Sequence, residues 1–351
     1  MPMKHVVVIP GEGIGPEVIL PTVDIISELV TEIEFEFAEA GKSYFEKTGE
    51  SISKTALEKA ASADAILFGA TTSFRKASYR SPILALRQDL ELYANVRPAK
   101  AFLPGLKKVD LVIIRENTEG LYTQNEEADL YGVTTYRRVS RKACEKIVKF
   151  AFAWGRQNSR RKMTCVHKAN VLRASDGLFL DIFNAEASRQ KKIATSDMLI
   201  DSTAMRLAMA PEEFDMIVTL NLYGDILSDL VAGLIGGMGF APSANYGAKR
   251  ALFEPAHGSA PDIAGKGIAN PMASLLCGKM MLDYLGFSKE AKMLMAAIEK
   301  TVATHHNSID VYGRCNTAAC IESLRSILGI GEAHKEPARV KRAKMKRKNG
   351  R

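Results

Sequence analysis

GEGIGPEV, residues 11–18, follows the apolar run VVVIP at 6–10. Three glycines in five residues after a predicted strand suggest a nucleotide-binding turn. The spacing is G-x-G-x-G before Pro16, whereas the dinucleotide fingerprint is G-x-G-x-x-G. A Rossmann reading therefore fails at its first motif, and the strands that follow have to define the fold.

Outward from that turn, short apolar runs alternate with helix-like segments. HVVVIP precedes VILPTVDIISELV, EFEFAEA precedes TALEKAASA, and AILFGA precedes a helix over SPILALRQDLELY. DLVIIREN, TCVHKAN and DMIVTLN are further apolar runs that end in polar residues. Runs of this kind read as strands buried on both faces, and their alternation with helices predicts an α/β fold with a parallel or mixed sheet. Function in open α/β sheets gathers at the carboxyl ends of strands. Five such ends are chemically loaded: GEGIG, GATTS, RENTEG, HKAN and NLYGD.

At 351 residues, 46% hydrophobic and 25% charged, the chain has the composition of a globular enzyme of one large or two smaller domains. No stretch approaches the roughly 20 apolar residues of a membrane span, and the first apolar run is too short for a signal peptide. Five cysteines, 144, 165, 277, 315 and 320, form no C-x-x-C pair. They read as reduced thiols, so a cytoplasmic location is expected. Residues 335–351 hold nine Lys/Arg against one Glu, which accounts for the whole net charge of +8. A basic tail of this kind is able to touch polyanions, but no aromatic is interleaved and no nucleic-acid motif precedes it. It reads as a solvated accessory, with no membrane or nucleic-acid partner expected.

The candidate chemistry falls into four groups. Asp225 and Asp229 stand at i, i+4 in NLYGDILSDL. On one helix face their like charges repel, which a hard divalent cation converts into binding. Asp201, in a turn-like LIDSTAM, is a candidate third ligand. Arg87, Arg97 and Arg115 offer guanidinium forks suited to a substrate with several carboxylates. Tyr122 and Lys168 are candidate acid and base. Taken singly, each also fits a plain structural role: a solvated helix face, a surface ion pair, a core tyrosine. The fourth group is a long Gly/Pro-rich loop, residues 252–271. There His257, Gly258 and Ser259 offer a ring and backbone N–H groups, and Asp262 suits a ribose 2′-hydroxyl. With Ile263 beside Asp262 and no arginine nearby, a 2′-phosphate is disfavoured.

GEGIGPEV, LYANVRPAK, RENTEGLY, VHKANVL, NLYGDILSD and FEPAHGSAPDIAGKGIANP occur in this order over about residues 5–285. In these segments the chain resembles the β-decarboxylating dehydrogenases that act on isocitrate, homoisocitrate or 3-isopropylmalate. The resemblance implies a two-domain α/β fold with a large mixed sheet, not a Rossmann fold. Residues 1–97 with 236–333 would form the larger, cofactor-binding domain, and 98–235 a smaller one carrying the dimer interface, with 334–351 the tail. It also implies an active site shared across a homodimer or higher homo-oligomer. Arg87, Arg97, Arg115, Tyr122, Asp225 and Asp229 would come from one subunit, Lys168 and Asp201 from the other. Mg²⁺ or Mn²⁺ would be held by Asp201, Asp225 and Asp229. NAD would be held by Ile14, Thr71, Glu254, His257, Gly258, Ser259, Ala260, Asp262, Ile263 and Asn270, with Ile14 near the nicotinamide. The Asp262-Ile263 pair matches the NAD type, where NADP enzymes carry Lys-Tyr.

The reaction implied is NAD-dependent oxidative decarboxylation of a 2-hydroxy-3-carboxy acid. In SYRSPILALR, Arg80, Ile83, Leu84 and Arg87 fall on one helical face. Ser81 matches a substrate-contacting serine of isocitrate enzymes, and Ser81-Pro82 is also an ideal N-cap and N1 pair. Arg80, Ser81 and the His167 of HKAN tilt toward isocitrate or homoisocitrate. Ile83 and Leu84 resemble the apolar pocket of isopropylmalate enzymes, which keeps that alternative open. A regulatory subunit is a further alternative, although such a chain is expected to lack catalytic residues that this one retains. Glu12 stands where the family usually has Asp, and SIDVYGRCNT, 308–317, departs from the family's pattern.

Overall fold

The computed structural model describes residues 2–72, 79–304, 313 and 315–331. SIDVYGRCNT therefore lies mostly, and the basic tail wholly, outside the described residues. Twelve strands and eleven α-helices are described, and ten of the strands form one sheet. The strands are β1 (Lys4–Gly11), β2 (Ile33–Phe37), β3 (Ala65–Ala70), β4 (Ala94–Lys100), β5 (Asp110–Glu116), β8 (Lys162–His167), β9 (Ala194–Leu199), β10 (Met216–Thr219), β11 (Pro242–Tyr246) and β12 (Ala251–Pro255). Their order is β2-β1-β3-β12-β11-β4-β5-β10-β8-β9. The remaining two, β6 (Glu126–Ala128) and β7 (Val133–Thr135), make an exposed antiparallel hairpin.

The pairing within the large sheet is mixed, as the sequence predicts. β2, β1, β3 and β12 run parallel. β11, β4 and β5 then alternate antiparallel, and β5, β10, β8 and β9 again run parallel. Three antiparallel contacts in succession reverse the direction of the second half. The carboxyl ends of β1 and β3 thus open at one edge of the sheet and those of β5, β8 and β10 at the other.

Those helices are set by apolar spacing. α1 (Gly15–Leu29) buries Val18, Ile19, Thr22, Val23, Ile25 and Ile26. It packs with α9 (Met272–Leu285), α10 (Ser288–Ala303) and α11 (Thr317–Leu328) into the largest core. α3 (Lys54–Ser62) and α4 (Pro82–Asp89) cover the opposite face through Ala56, Ala60, Ala85 and Leu86. In the second half, α5 (Arg141–Gln157) and α6 (Ser175–Ala187) cover the face of Val112 and Ile114. α7 (Ile200–Met209) and α8 (Asn221–Leu234) cover the face of Ile113 and Ile217. A short α2 (Lys42–Thr48) follows β2. α4 is shorter than the predicted 81–93, because Leu90 caps it and Glu91 turns to φ 49°.

Candidate active site

Arg97 and Arg115 converge on one carboxylate. Arg97, in mid-β4, and Arg115, near the end of β5, lie on adjacent antiparallel strands. Their Nη1 atoms stand 3.2 Å and 2.5 Å from Asp225 Oδ1 on α8. Arg97 also reaches Asp229, one helical turn on, at 3.5 Å. Asn221 Oδ1 accepts from Arg115 Nε and Nη2 at 3.0 Å and 2.8 Å. Ser228 Oγ accepts from Arg97 at 2.6 Å. The Tyr122 hydroxyl donates to Asp225, and the Tyr122 ring lies 5.0 Å beneath the Arg115 guanidinium.

Gly224 explains how Arg115 fits against α8. A Cβ there would sit 2.6 Å from Arg115 Cγ. A helical glycine costs about 1 kcal/mol relative to alanine, and here it gives the guanidinium its seat. The pair at i, i+4 is also as predicted: Asp225 and Asp229 are one turn apart on a single helix. Ile226, between the two aspartates on α8, is 57% exposed.

The charges are unequal in environment. Burial works to raise the Asp225 pKa, but the Arg115 and Arg97 charges and the Tyr122 hydroxyl hold it below the ordinary aspartate value. Asp229 is pushed up, chiefly by burial and also by the Asp225 charge, despite Arg97. Burial and the nearby Arg97 charge bring Arg115 down to about 10. Burial and the bond to Asp225 raise Tyr122 and keep its hydroxyl protonated.

Lys168 and Asp201 lie elsewhere. Their side chains pair at 2.5 Å, and among the described residues no hydrogen bond or ion pair joins them to Asp225 or Asp229. Asp201 stands in the first turn of α7 rather than in a turn. The Lys168 backbone N–H donates to the fully buried Asp176 at 2.7 Å, which fixes the HKAN turn. His167 Nδ1 accepts from the Ala169 N–H, and Nε2 faces Asp197 at 3.2 Å. The first bond closes the turn, and the second ties it to the neighbouring strand β9. Among the described residues, no cluster of three or more His, Cys, Asp or Glu has metal-holding geometry. The three aspartates are thus not brought together within one chain.

At the other edge, GEGIG meets the Gly/Pro-rich loop. The Ile14 N–H donates to Ser259 O at 3.0 Å, and Thr72 Oγ1 bonds Ser259 Oγ at 2.9 Å. Gly13, at φ +60°, would place a Cβ 1.9 Å from Ser259 O. Glu17 Oε1 accepts from the Ala269 N–H and from Thr317 Oγ1, at 2.9 Å and 2.6 Å. Glu12 finds its reason here as well. Its carboxylate accepts from the Ser43 N–H at the start of α2 and from the Thr72 N–H at 3.2 Å. These bonds outweigh burial and lower its pKa.

Thr71 is half-buried at the end of β3, and Gly258 is exposed in the same loop. Ala260 takes φ +40°, and the Ile263 N–H donates to its carbonyl at 3.1 Å. Asn270 is buried and caps the Met272 N–H at 3.0 Å. Burial lowers the His257 pKa, and its Nε2 is buried without a partner among the described residues. Asp262 is exposed and makes no hydrogen bond or ion pair among them. The loop proper is residues 256–271. Glu254, predicted as a loop residue that contacts cofactor, is buried in β12 and bonds Arg87 Nη2 at 2.8 Å.

The segment before Arg87 divides differently from its sequence pattern. Arg80 lies before the helix and is engaged by Gln88 and Asp89 on the exposed side. Ile83 packs into the core beneath α4. Ser81 takes the N-cap position but makes no cap bond, so its hydroxyl has no partner among the described residues. Leu84 is half-buried. Sequence reasoning missed Asn95, Asn221, Ser228 and Asn245. Asn95 carried a signal in standing two residues before Arg97 on the same strand face, and Asn221 and Ser228 in standing four before and three after Asp225 on one helix face.

Residues 5–326 match the family model described as isocitrate/isopropylmalate dehydrogenase. The homoisocitrate dehydrogenase of Methanocaldococcus jannaschii is 46% identical over 90% of this chain and 95% of its own. The 3-isopropylmalate dehydrogenase of Methanothermobacter thermautotrophicus is 44% identical over 90% and 96%. The crystal structure of isocitrate dehydrogenase from Methylococcus capsulatus superposes with a TM-score of 0.90 at 38% identity, covering 93% of this chain and 99% of that one. The chain belongs to the isocitrate/isopropylmalate dehydrogenase family, the β-decarboxylating dehydrogenases.

Proposed function

We propose that the protein oxidises and decarboxylates isocitrate or homoisocitrate with NAD and Mg²⁺ or Mn²⁺, in sites shared by two copies of the chain. The observation that carries this reading is the convergence of Arg97, Arg115 and Tyr122 on Asp225, with Asp229 one turn away. Asp225 and Asp229 are hard oxygen donors, and a divalent cation would offset the burial and the Asp225 charge that raise Asp229. They supply two ligands, and Asp201 of the second copy the third. The unpartnered His257 Nε2 and the exposed, unpartnered Asp262 fit the adenosine half of NAD.

When bound, NAD accepts the hydride and the cation acts as a Lewis acid on the hydroxyl and the developing enolate. This chain's residues do the rest. Arg87, Arg97 and Arg115 hold the substrate carboxylates by their guanidinium forks. The second copy's Lys168 acts at Nζ on the 2-hydroxyl proton. Tyr122, protonated at neutral pH, gives its hydroxyl proton to the carbon that loses CO₂.

Exposed apolar side chains support the dimer: Leu130 and Tyr131 at the β6–β7 hairpin, Val171 and Leu172 after Lys168, Met205 and Met209 on α7, and Ile226 on α8. A larger domain of 1–97 with 236–333 and a smaller one of 98–235 fit the reversal of strand direction at β11, β4 and β5. Five reduced cysteines fit a reducing compartment such as the cytoplasm.

The free hydroxyl of Ser81 favours a tricarboxylic substrate. The engagement of Arg80 and the internal bonds of His167 remove those two residues as support. Leu84 beside Ser81 favours the second reading, 3-isopropylmalate. The test is a panel of the three acids with Mg²⁺, each with NAD and with NADP. Turnover of isocitrate or homoisocitrate with NAD is expected. Preference for isopropylmalate overturns the substrate assignment, and no reduced nucleotide from any acid overturns the whole reading.

A further inference from the structure

Arg87 lies on α4 and Arg97 on β4, yet one buried chain of hydrogen bonds connects them. Arg87 Nη2 donates to Glu254 Oε1 at 2.8 Å, and Asn245 Nδ2 donates to the same oxygen at 2.7 Å. Asn95 Nδ2 donates to Asn245 Oδ1 at 2.9 Å, and Arg97 Nε donates to Asn95 Oδ1 at 2.8 Å. Side bonds pin both amides: Asn117 Nδ2 to Asn245 Oδ1 at 2.9 Å, and Asn95 Nδ2 to Ser243 Oγ at 2.7 Å. Asn95, Asn245 and Ser243 have no exposed surface, and Glu254 and Arg87 are 8% exposed each.

The chain has one allowed direction. Flipping the Asn245 amide would aim its oxygen at the Glu254 carboxylate and its nitrogen at the Asn95 and Asn117 donors. Glu254 therefore orders both amides and turns the Asn95 oxygen toward Arg97. Buried hydrogen-bond chains polarise one another and rigidify what they join. Arg87 is held by one edge only, and its buried Nε has no partner among the described residues.

We propose that Glu254, Asn245 and Asn95 are positioning residues that fix Arg87 and Arg97 as one carboxylate clamp for the hydroxy acid. This rests on the reading of those arginines as substrate anchors. It gives Glu254 a role on the substrate side of the site. A clamp spaced before binding lowers the ordering cost of two guanidinium forks.

The test uses the full chain with two variants, Asn245→Leu and Glu254→Gln. Two readouts are taken: KM for the hydroxy acid against KM for NAD, and hydrogen exchange of the Arg97 Nε–H by nitrogen-15 NMR. Asn245→Leu is expected to raise the acid KM tenfold or more, leave the NAD KM within twofold, and speed exchange at Arg97. Glu254→Gln keeps an acceptor oxygen but loses the charge, and is expected to fall between wild type and Asn245→Leu. An unchanged acid KM, an equal rise in both KM values, or unchanged exchange at Arg97 overturns the inference. If Asn245→Leu does not fold, Glu254→Gln decides by the same criteria with a severalfold rise in acid KM. If the wild type turns over none of the three acids, the functional reading falls, and the exchange readout still decides whether this chain fixes Arg97.

Discussion

The Asp225 corner and the Lys168 corner are built to different standards. Around Asp225 the partners Arg115 and Arg97 are only 1% and 11% exposed, and Asn221, Ser228 and Tyr122 complete their bonds. Around Lys168 the backbone is anchored as firmly, through Asp176, but among the described residues the ammonium pairs only with Asp201, which is 61% exposed. Exposed apolar residues flank that pair on the loop after Lys168 and on α7. One half of the site is finished by the chain's own fold, and under the proposed function a second copy completes the other.

The strongest way to break this contrast is Asp225→Asn. It removes a proposed cation ligand and leaves two buried guanidinium groups without their shared anion. We expect kcat/KM to fall by about 10³ or more, with circular dichroism and a cooperative melt retained. Near-normal turnover would remove Asp225 from the metal site. Lys168→Met should lower kcat strongly while Tm stays within a few degrees, because the turn is held by the Lys168 backbone rather than its ammonium. A large loss of Tm would show that the Lys168 corner is structural after all.

Gly224→Ala probes how finely the first corner is set. The new Cβ must displace Arg115. Overpacking costs about 1–3 kcal/mol, against a gain of about 1 kcal/mol in helix propensity. Steady-state kinetics should show kcat/KM down by about tenfold to a hundredfold, since small misplacements of an anchor are expensive. Unchanged kinetics would mean that α8 can shift without cost.

Glu12→Gln is the smallest expected effect and lies in neither corner. Two N–H bonds to a carboxylate weaken to bonds with a neutral amide, a loss of about 1–2 kcal/mol by denaturant melts near neutral pH. The Glu12 pKa is lowered by folding, so its contribution is complete above the unfolded value of 4.5. As pH falls through the lowered folded value, that contribution disappears. The gap between wild type and variant should therefore close in acid, and a gap independent of pH would refute the account of Glu12.

Much of this was legible in the sequence because it is local. The period of NLYGDILSD puts Asp225 and Asp229 on one face without reference to anything distant. The apolar run of DLVIIREN puts Arg115 near a strand end. The failed fingerprint at GEGIG excluded a Rossmann turn, and the structure explains Gly13 by the approach of Ser259 and Gly11 and Gly15 by the approach of Ala70 and Pro10. What was hidden is non-local. The Asn245 amide meets Asn95 from 150 residues away, and Glu254 meets Arg87 from 167. No spacing rule encodes either contact. The reversal of strand direction at β11 and β4 was hidden for the same reason. Ser81 shows the opposite limit: local chemistry predicted the N-cap position correctly, yet its hydroxyl makes no cap bond.

The claim that each active site is shared between two chains is tested most directly by complementation. Asp225→Asn and Lys168→Met, each expected to lose nearly all activity as a homodimer, are unfolded together and refolded as an equal mixture. A hybrid dimer pairs one intact Asp225 with one intact Lys168 and carries both lesions in its other site. Random pairing makes half of the dimers hybrids, so the mixture should regain about a quarter of wild-type activity per chain. An inactive mixture that contains hybrid dimers by mass spectrometry would contradict the shared site.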